Sequence, residues 1–386
     1  MDGNRQLYID NLRLLVIVLV VLIHIAVTYS GFGGWYYMEP GEIGIGQTIF
    51  FGFFQAFTQG FFMGLLFLIA GYFTPNSYDK KGFGLFIKDR LIRLGIPAII
   101  YMLFINPFIV FVLLGRRIDA GGIIAYGDGS LLTSYIYNII GFRFIGGSGP
   151  MWFALALLFF SIVYALLRKC FARKAVTGNK SFPKFANISV LILLISVCAF
   201  SIRLIQPIGT AIFNMQLGYF SQYVILFIAG IYCKRNNWLE KLDFKVGKAW
   251  LIWGISLGFV WFAIMMISGG ALDDRLYLFD GGLTWQSAAY AVWESFVAVA
   301  MSIGLIALFK EKFNRQNEFA KRLSKNAFSV FVFHSVIIVS LSLLFAPVNL
   351  VPIIKFVIVA IVGIPLCFLI TDLTIQRIPF LRKLFA

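Results

Sequence analysis

Long apolar runs, separated by short polar segments, occupy most of the chain. Ten of these runs approach the length of about 20 residues that a helix needs to cross a bilayer. They lie at residues 12–30, 49–73, 94–115, 151–168, 188–205, 217–233, 249–268, 285–309, 326–346 and 351–372. The pattern predicts an all-α polytopic membrane protein with about ten transmembrane helices. No internal repeat, low-complexity tail or separate soluble domain interrupts it, so we expect residues 1–386 to form a single integral membrane domain.

Basic residues are distributed unevenly over the segments between the runs. If the N-terminus lies inside, the inner segments hold 27 Lys and Arg residues and the outer segments hold 5. Short cytoplasmic loops are enriched in Lys and Arg. The distribution therefore predicts that both termini are cytoplasmic, and we expect a multi-pass protein of the cell (inner) membrane.

Composition agrees with this class. The chain is 60% hydrophobic and 13% charged, and its mean hydropathy is +0.88. Its net charge of +16 comes from loops throughout the chain and not from one basic domain, so we assign the charge to topology and expect no nucleic-acid partner. The four cysteines include no CxxC pair, which predicts neither a metal site nor a disulfide framework. The first run carries ionisable residues and precedes no A-x-A-like site, so a cleavable signal peptide is not expected.

The first run, within Arg5–Ser30 (RQLYIDNLRLLVIVLVVLIHIAVTYS), contains two ionisable residues, Arg13 and His24. At about 100° per residue, their separation of eleven positions returns the helix to within about 20° of one face and places His24 roughly 16 Å deeper. Ionisable groups at membrane depth usually face a protein interior or a water-filled cavity. Two interpretations remain open: a functional stripe, or a simple inside anchor at Arg13 with a hydrogen-bonded bundle histidine at His24.

The other histidine, His334, lies in NAFSVFVFHSVII at a depth similar to that of His24. If the first and ninth spans pack together, the two imidazoles meet. A neutral imidazole accepts a proton from a hydroxyl and later returns it, so one histidine is a candidate general base and the other a candidate orienting group. The alternative is that each is a satisfied histidine of the helix bundle.

Arg90 and Arg93, in DRLIRLGIP, precede the third span. Their i, i+3 spacing predicts one helix face at the inner surface. Together with Arg13 they have the chemistry to bind a phosphate. The residues alone favour a simpler explanation, namely topology and contacts with anionic lipid headgroups.

Glu294 lies inside the eighth span, on a face shared with Gln286 and Tyr290. An intramembrane carboxylate is a candidate site residue. Pairing with an arginine and hydrogen bonding to a substrate hydroxyl are both open. Three neutral polar residues at depth are expected to join helices: Gln55, Gln59 and Asn106.

The predicted outer loops are rich in aromatic residues and glycine. Residues 31–48 read GFGGWYYMEPGEIGIGQT and contain no Lys or Arg. Such a composition suits a carbohydrate surface and equally an interfacial aromatic belt. No P-loop, GxSxG, HExxH or dinucleotide-binding pattern stands in a suitable context, so nothing indicates ATP-driven work.

Several segments resemble the membrane-bound acyltransferase-3 family, which includes polysaccharide O-acetylases and the glucan succinyltransferase called glucan biosynthesis protein C. The matching pieces are YIDNLRLLVIVLVVLIH with its Arg-x10-His spacing, FFMGLLFLIAGYF, RLIRLGIP, GPMWFALALL, YFSQYVILFIAGI, WQSAAYAVWES and SVFVFHSVI. The Arg-x10-His spacing is the most specific, and the order of the pieces along the chain makes the set strong.

The resemblance implies a ten-span O-acyltransferase that moves an acyl group, acetyl or succinyl, from cytoplasmic acyl-CoA to a hydroxyl of an extracytoplasmic glycan. It implies no permanently bound cofactor and a lipid bilayer environment. It assigns Arg13 and His24 to the family's essential pair and Arg90 and Arg93 to its inner arginine motif. His334 matches a histidine in the family's late span. Glu294 and Trp152 are further candidates to shape the pocket.

The chain departs from the family in two ways. It ends at Ala386 without the soluble esterase-like domain that some members carry, and its late motif reads FVFH where many members have a tyrosine-rich version. The acyl group, the acceptor, and the choice between general base and acyl-histidine for His24 stay open. The alternatives to an enzyme are a transporter or flippase for polysaccharide or lipid-linked sugar, and a membrane scaffold, which the short loops disfavour.

Overall fold

The computed structural model describes residues 6–39, 41, 43–118, 124–126, 129–171, 178–273 and 275–385. Part of the predicted outer segment 116–150, and the basic residues Arg5, Arg173 and Lys174 of the predicted inner segments, lie outside the described residues.

The described chain is almost entirely helical, and the prediction of an all-α polytopic membrane protein is confirmed. The helices are α1 Leu7–Ser30, α2 Ile45–Arg90, α3 Ile96–Ile100, α4 Leu131–Ile140, α5 Trp152–Cys170, α6 Phe185–Arg203, α7 Phe220–Asn236, α8 Trp238–Lys241, α9 Phe244–Ser268, α10 Tyr277–Asp280, α11 Trp285–Lys312, α12 Glu318–Phe345, α13 Pro352–Leu373 and α14 Pro379–Phe385. A short antiparallel ribbon of β1 (Arg116–Ile118) and β2 (Ile124–Tyr126) joins the helices at one end of the bundle.

Nine helical runs of the described chain are long and apolar enough to cross a membrane. One of them, Ile45–Leu113, is 69 residues long, or about 100 Å at 1.5 Å per residue, which is more than three times the hydrocarbon thickness. Its backbone breaks at Gly82, whose φ of 68° is left-handed. The predicted second and third spans, 49–73 and 94–115, lie on opposite sides of this break, so the nine runs hold the ten predicted spans.

Three helices form the centre of the bundle. In their apolar windows, 72% of α11 and 61% each of α1 and α12 are buried, against 17% of α9 and 22% of α6. The helices at the periphery expose rows of large apolar side chains, as lipid-facing helices do. Because α1 is central, a polar side chain on it faces protein or an internal cavity and not lipid.

The third span departs from α-helical geometry. Three of its segments, Leu91–Gly95, Tyr101–Ile105 and Phe108–Leu113, are π-helical. Such i→i+5 turns are wider than α-turns and occur often at functional sites. Tyr101 and Asn106 of this span contact the loop after α1, and Tyr101 also contacts α12, as described below.

Close backbone packing holds α2 against α7. A Cβ at Gly71 would overlap the carbonyl oxygen of Phe227, and a Cβ at Gly230 would overlap the carbonyl oxygen of Leu68. Helices in lipid gain little from the hydrophobic effect and associate through close contact at small residues. This contact explains the glycine of the GYF segment in physical terms.

Replacing Gly71 with Ala should therefore destabilise the bundle by about 1–3 kcal/mol or more, since the new methyl group meets backbone and not a movable side chain. The midpoint of thermal unfolding in detergent measures the effect. Gly84→Ala, in α2 beyond the break at Gly82 and with open space where a Cβ would stand, is the control and should leave the midpoint unchanged or raise it. An unchanged midpoint for Gly71→Ala would contradict the assigned packing.

Candidate functional site

The structure brings His24 and His334 together. Helices α1 and α12 pack side by side, and the two ring centroids are 5.2 Å apart. A third ring, Trp35 from the loop after α1, stacks on His24 with centroids 3.6 Å apart and planes 11° from parallel. The distance from Trp35 to His334 is 5.9 Å.

These three distances define the arrangement of the rings. A column with His24 in the middle would put the outer rings much further apart than 5.9 Å. The lines from His24 to Trp35 and to His334 instead meet at roughly a right angle. Trp35 therefore covers one face of the His24 imidazole, and His334 lies beside its edge.

The hydrogen bonds of His334 determine its tautomer. Nδ1 lies 2.8 Å from the carbonyl oxygen of Phe331 and 3.2 Å from that of Val330. A carbonyl only accepts, so the neutral ring carries its proton on Nδ1 and a lone pair on Nε2. That Nε2 is buried and has no partner in the described part of the chain. His334 therefore presents an unused basic nitrogen beside His24.

His24 lies in the inner part of a cavity of about 950 Å³. On α1 the lining runs from Val20 to Val27 and does not reach Arg13. The rim belongs to segments that the charge pattern predicts to be outside, represented by Gly34, Arg143 and Asn214. The imidazole is thus accessible from the predicted outer side.

Aromatic and amide side chains form the walls of this cavity. Trp152 and Tyr223 stand with their ring centroids 5.6 Å apart and planes 29° from parallel. Gln59 donates to the Tyr223 hydroxyl at 3.1 Å, and Gln55 donates to Ser30 Oγ at 2.9 Å. Gln55 and Gln59 join helices as expected, whereas Asn106 accepts from Tyr36 of a loop, and all three line the cavity.

The loop that carries Trp35 is fixed at several points. Gly31 ends α1 with φ 72°, and the chain folds back until Glu39 N donates to the Thr28 carbonyl at 2.9 Å. Lys355 of α13 donates to Glu39 Oε1 at 2.5 Å, in an ion pair whose lysine is 3% exposed. Trp35 is therefore held over His24 by contacts with α1 and α13.

A chain of hydroxyl groups continues from this loop to α12. Tyr36 OH donates to Asn106 Oδ1 at 2.8 Å and lies 3.0 Å from Tyr101 OH, which lies 2.8 Å from Ser335 Oγ. Each hydroxyl has one proton, so Tyr101 donates to Tyr36 and Ser335 donates to Tyr101. Burial, with a further contribution from Tyr101, raises the pKa of Tyr36 well above its usual range, which keeps this donor protonated.

The predicted inner arginines lie at the other end of α1. Arg13 Nη1 lies 3.6 Å from Asp10, and its guanidinium lies 4.9 Å from the Phe73 ring centroid. Arg90 stacks similarly on Phe86, at 5.0 Å, and is close enough for the charge of Arg13 to act on it.

Arg93 differs from Arg90 in its surroundings. It pairs with Asp89 at 3.0 Å and is 70% exposed. The predicted common face of Arg90 and Arg93 assumed α-helical turns. The segment Leu91–Gly95, which holds Arg93, is π-helical, so the i, i+3 spacing does not have the geometry of an α-helical face there.

Glu294 forms a buried ion pair with Arg203, the last residue of α6. The Arg203 Nε also donates to the Gly218 carbonyl at 3.1 Å, and its guanidinium lies over the rings of Tyr219 and Tyr290. These two tyrosines line the cavity, whereas Glu294 and Arg203 stand behind them. The catalytic role predicted for Glu294 stays a prediction, and its position is that of a residue supporting the wall.

Several residues of the site were missed from the sequence. Trp35 and Tyr36 belong to a loop that was recognised only as aromatic, and Arg203 was counted as an outer topology residue. A usable signal for Arg203 was the need of Glu294 for a cation at membrane depth. For Trp35 the sequence held no signal that separates a ring stacked on His24 from an interfacial tryptophan.

Breaking the Arg203–Glu294 pair on one side should be more harmful than removing both charges. Arg203→Met leaves a buried carboxylate uncompensated and should cost about 3–5 kcal/mol of stability. The double variant Arg203→Met/Glu294→Leu should recover much of that loss in thermal unfolding. Recovery of stability without recovery of activity would show that the pair itself is needed for the reaction, and recovery of both would show a supporting role only.

Comparison with known proteins addresses the family. The acyltransferase-3 family model, described as an acyltransferase domain, matches residues 6–372, nearly the whole chain. No curated protein and no solved structure matched the chain. The match includes α1 with Arg13 and His24, the inner arginines and the α12 histidine. The chain belongs to the acyltransferase-3 family and is a multi-pass membrane acyltransferase that transfers groups other than aminoacyl groups.

Proposed function

We propose that the protein moves an acyl group, acetyl or succinyl, from cytoplasmic acyl-CoA to a hydroxyl of an extracytoplasmic glycan, in the cell membrane with both termini cytoplasmic. The observation that carries the proposal is the position of His24. It lies at the base of a cavity that opens among the predicted outer loops, on the same helix as Arg13 near the predicted inner surface.

The two ends of α1 suit the two substrates. Arg13 and Arg90 lie together at the predicted inner end, with Arg93 beside them, and guanidinium groups bind phosphates strongly. The eleven residues from Arg13 to His24 span roughly 16 Å. A long donor arm such as that of CoA is needed to bring a thioester from phosphates held at Arg13 to the imidazole.

The outer half of the cavity suits a sugar. The stacked rings of Trp152 and Tyr223 offer flat apolar faces, and Gln59, Asn214 and Gln216 add amide groups to the lining. A volume of about 950 Å³ accommodates more than one small ring. Support for a glycan acceptor rests on this combination of aromatic walls and amide hydrogen-bonding groups.

The chemistry follows from the two histidines. His24 removes the proton of the acceptor hydroxyl as its oxygen attacks the thioester carbonyl carbon. The C–S bond then breaks, and the imidazolium returns the proton to the leaving CoA thiolate. Trp35 holds the imidazole plane, and His334 lies beside it with Nε2 as a hydrogen-bond acceptor. The alternative, in which His24 attacks the thioester and forms an acyl-histidine, uses the same geometry.

CoA release by the purified protein tests this proposal, with acetyl-CoA and succinyl-CoA supplied in turn. His24→Ala should lose at least about 100-fold in turnover, since general-base catalysis contributes that much. Arg13→Ala should mainly weaken donor binding. Arg382→Ala, an exposed residue at the predicted inner side, is the charge-matched control for Arg13→Ala and should behave as wild type. Folded protein that neither binds nor turns over any acyl-CoA would favour the transporter instead.

Trp35 should act as a positioning residue for His24. Trp35→Ala frees the imidazole to tilt and should lower kcat by about tenfold or more, with little change in the KM for acyl-CoA, since small misplacements of a reacting group are costly. Trp35→Phe keeps a stacking ring and should recover most of the rate. Trp285→Ala, at an exposed tryptophan outside the cavity lining, is the control. An unchanged kcat in Trp35→Ala would show that Trp35 does not position His24.

A further inference from the structure

One wall of the cavity, formed by residues of the segment 116–147, is rich in hydrogen-bond donors. Arg116 lies in β1, Asn138 in α4, and Arg143 in the turn after α4, and all three line the cavity. We call Arg116, Asn138 and Arg143 the donor wall. An arginine side chain has donors and no acceptor.

Asn138 supplies an unused donor. The residue is 4% exposed, and its Nδ2 has no hydrogen-bond partner in the described part of the chain. Trp35 Nε1 is a second buried donor without a partner on the same cavity. Leaving a buried donor unpaired costs about 1–3 kcal/mol. A ligand atom that accepts hydrogen bonds removes this penalty.

Charged residues of the cavity lining also favour a ligand that accepts hydrogen bonds. Arg143 is exposed to the cavity mouth and makes no hydrogen bond or ion pair within the described residues. Arg116 donates through Nη2 to the Tyr36 carbonyl at 3.3 Å. Among the described residues, Asp280 is the one carboxylate in the lining, and the positive charge of Arg203 acts on it. Within the described lining, the charged groups are thus the arginines Arg116 and Arg143 and one carboxylate, that of Asp280.

We propose that the donor wall binds an anionic group of a substrate, a carboxylate or a phosphate. Such groups only accept hydrogen bonds, and guanidinium groups bind them in a two-point geometry. The anion is carried either by the acyl group, as the free carboxylate of a dicarboxylic acyl chain, or by the acceptor glycan. That the anion belongs to a reacting substrate rests on the proposed function.

The position of the wall supports a role near the reacting group. Arg116 contacts Tyr36, which follows Trp35, and Trp35 stacks on His24. Arg116 therefore contacts the same loop that holds the ring stacked on His24, so an anion at Arg116 would lie next to this loop. Arg143 stands further out, at the mouth, where an incoming charged group first meets the protein.

Binding of the anion is measurable without any transfer reaction. We would follow thermal unfolding of the purified protein in detergent at constant ionic strength, since a ligand of the folded state raises the unfolding midpoint. The probes are succinate against neutral succinamide, and a galacturonic acid trisaccharide against a neutral galactose trisaccharide. We expect stabilisation by one anionic probe and not by its neutral counterpart.

Three variants locate the site. Arg143→Gln should weaken binding of the anion by roughly tenfold, which is the effect of losing one charge-assisted hydrogen bond. Asn138→Leu should also weaken binding of the anion. It should raise the unfolding midpoint of the protein without ligand, because the substitution removes an unpaired buried donor. Arg275 is an exposed arginine of a predicted outer loop, outside the lining. Arg275→Gln should change neither the binding of the anion nor the unfolding midpoint without ligand.

The outcomes distinguish an anion on the acyl group from an anion on the acceptor. They also distinguish failure of anion binding from failure of the proposed acyl transfer. Stabilisation by succinate assigns the anion to the acyl group, and stabilisation by the galacturonic acid trisaccharide assigns it to the acceptor. Three results would contradict anion binding at the donor wall. They are equal stabilisation by anionic and neutral probes, an equal loss of anion binding in Arg275→Gln, and no stabilisation by any probe. Selective anion binding without CoA release would contradict the proposed transfer reaction and leave the donor wall in place.

Discussion

A polar group inside a bilayer has to find its partner within the protein or in an internal water-filled cavity, and the architecture of this acyltransferase is organised around that constraint. His334 gives its Nδ1 proton to backbone carbonyls, and Arg203 and Glu294 neutralise each other between two helices. Lys355 reaches the loop after α1 to pair with Glu39. The His334 bonds stay within α12, whereas the two ion pairs join elements that are distant in the chain. Satisfying these charged groups therefore also helps to set which helices pack together.

His24 differs from these paired residues. Neither of its ring nitrogens has a hydrogen-bond partner among the described residues, and its ring is held by stacking under Trp35 beside a cavity. A ring held by its face keeps both nitrogens available for chemistry. The contacts that support Trp35, from α1 and α13, are therefore as much a part of the site as the histidine itself.

Packed side chains lie between the two ends of α1. The cavity reaches Val20, while Ile17 between Val20 and Arg13 is 7% exposed. Under the proposed function, a donor that extends from Arg13 to His24 has to part the side chains around Ile17. Donor binding and the packing of α1 are then coupled.

Much of the architecture was predictable from local sequence. Hydropathy predicted the ten spans, and the eleven-residue spacing placed Arg13 and His24 on one stripe, because both depend on the regular geometry of a single helix. The sequence placed His24 and His334 at similar depths, so that they would meet if α1 packed against α12. The fold supplies that contact.

The tertiary structure alone decided the rest. It placed Trp35 over His24, paired Glu294 with Arg203, and put Arg116, Asn138 and Arg143 on one cavity wall. These arrangements join residues from different helices and loops. The apolar faces of transmembrane helices look alike to lipid and to one another, so hydrophobic pattern does not specify which helices become neighbours. Close glycine contacts and paired polar groups do specify it, and they exist only once the chain has folded.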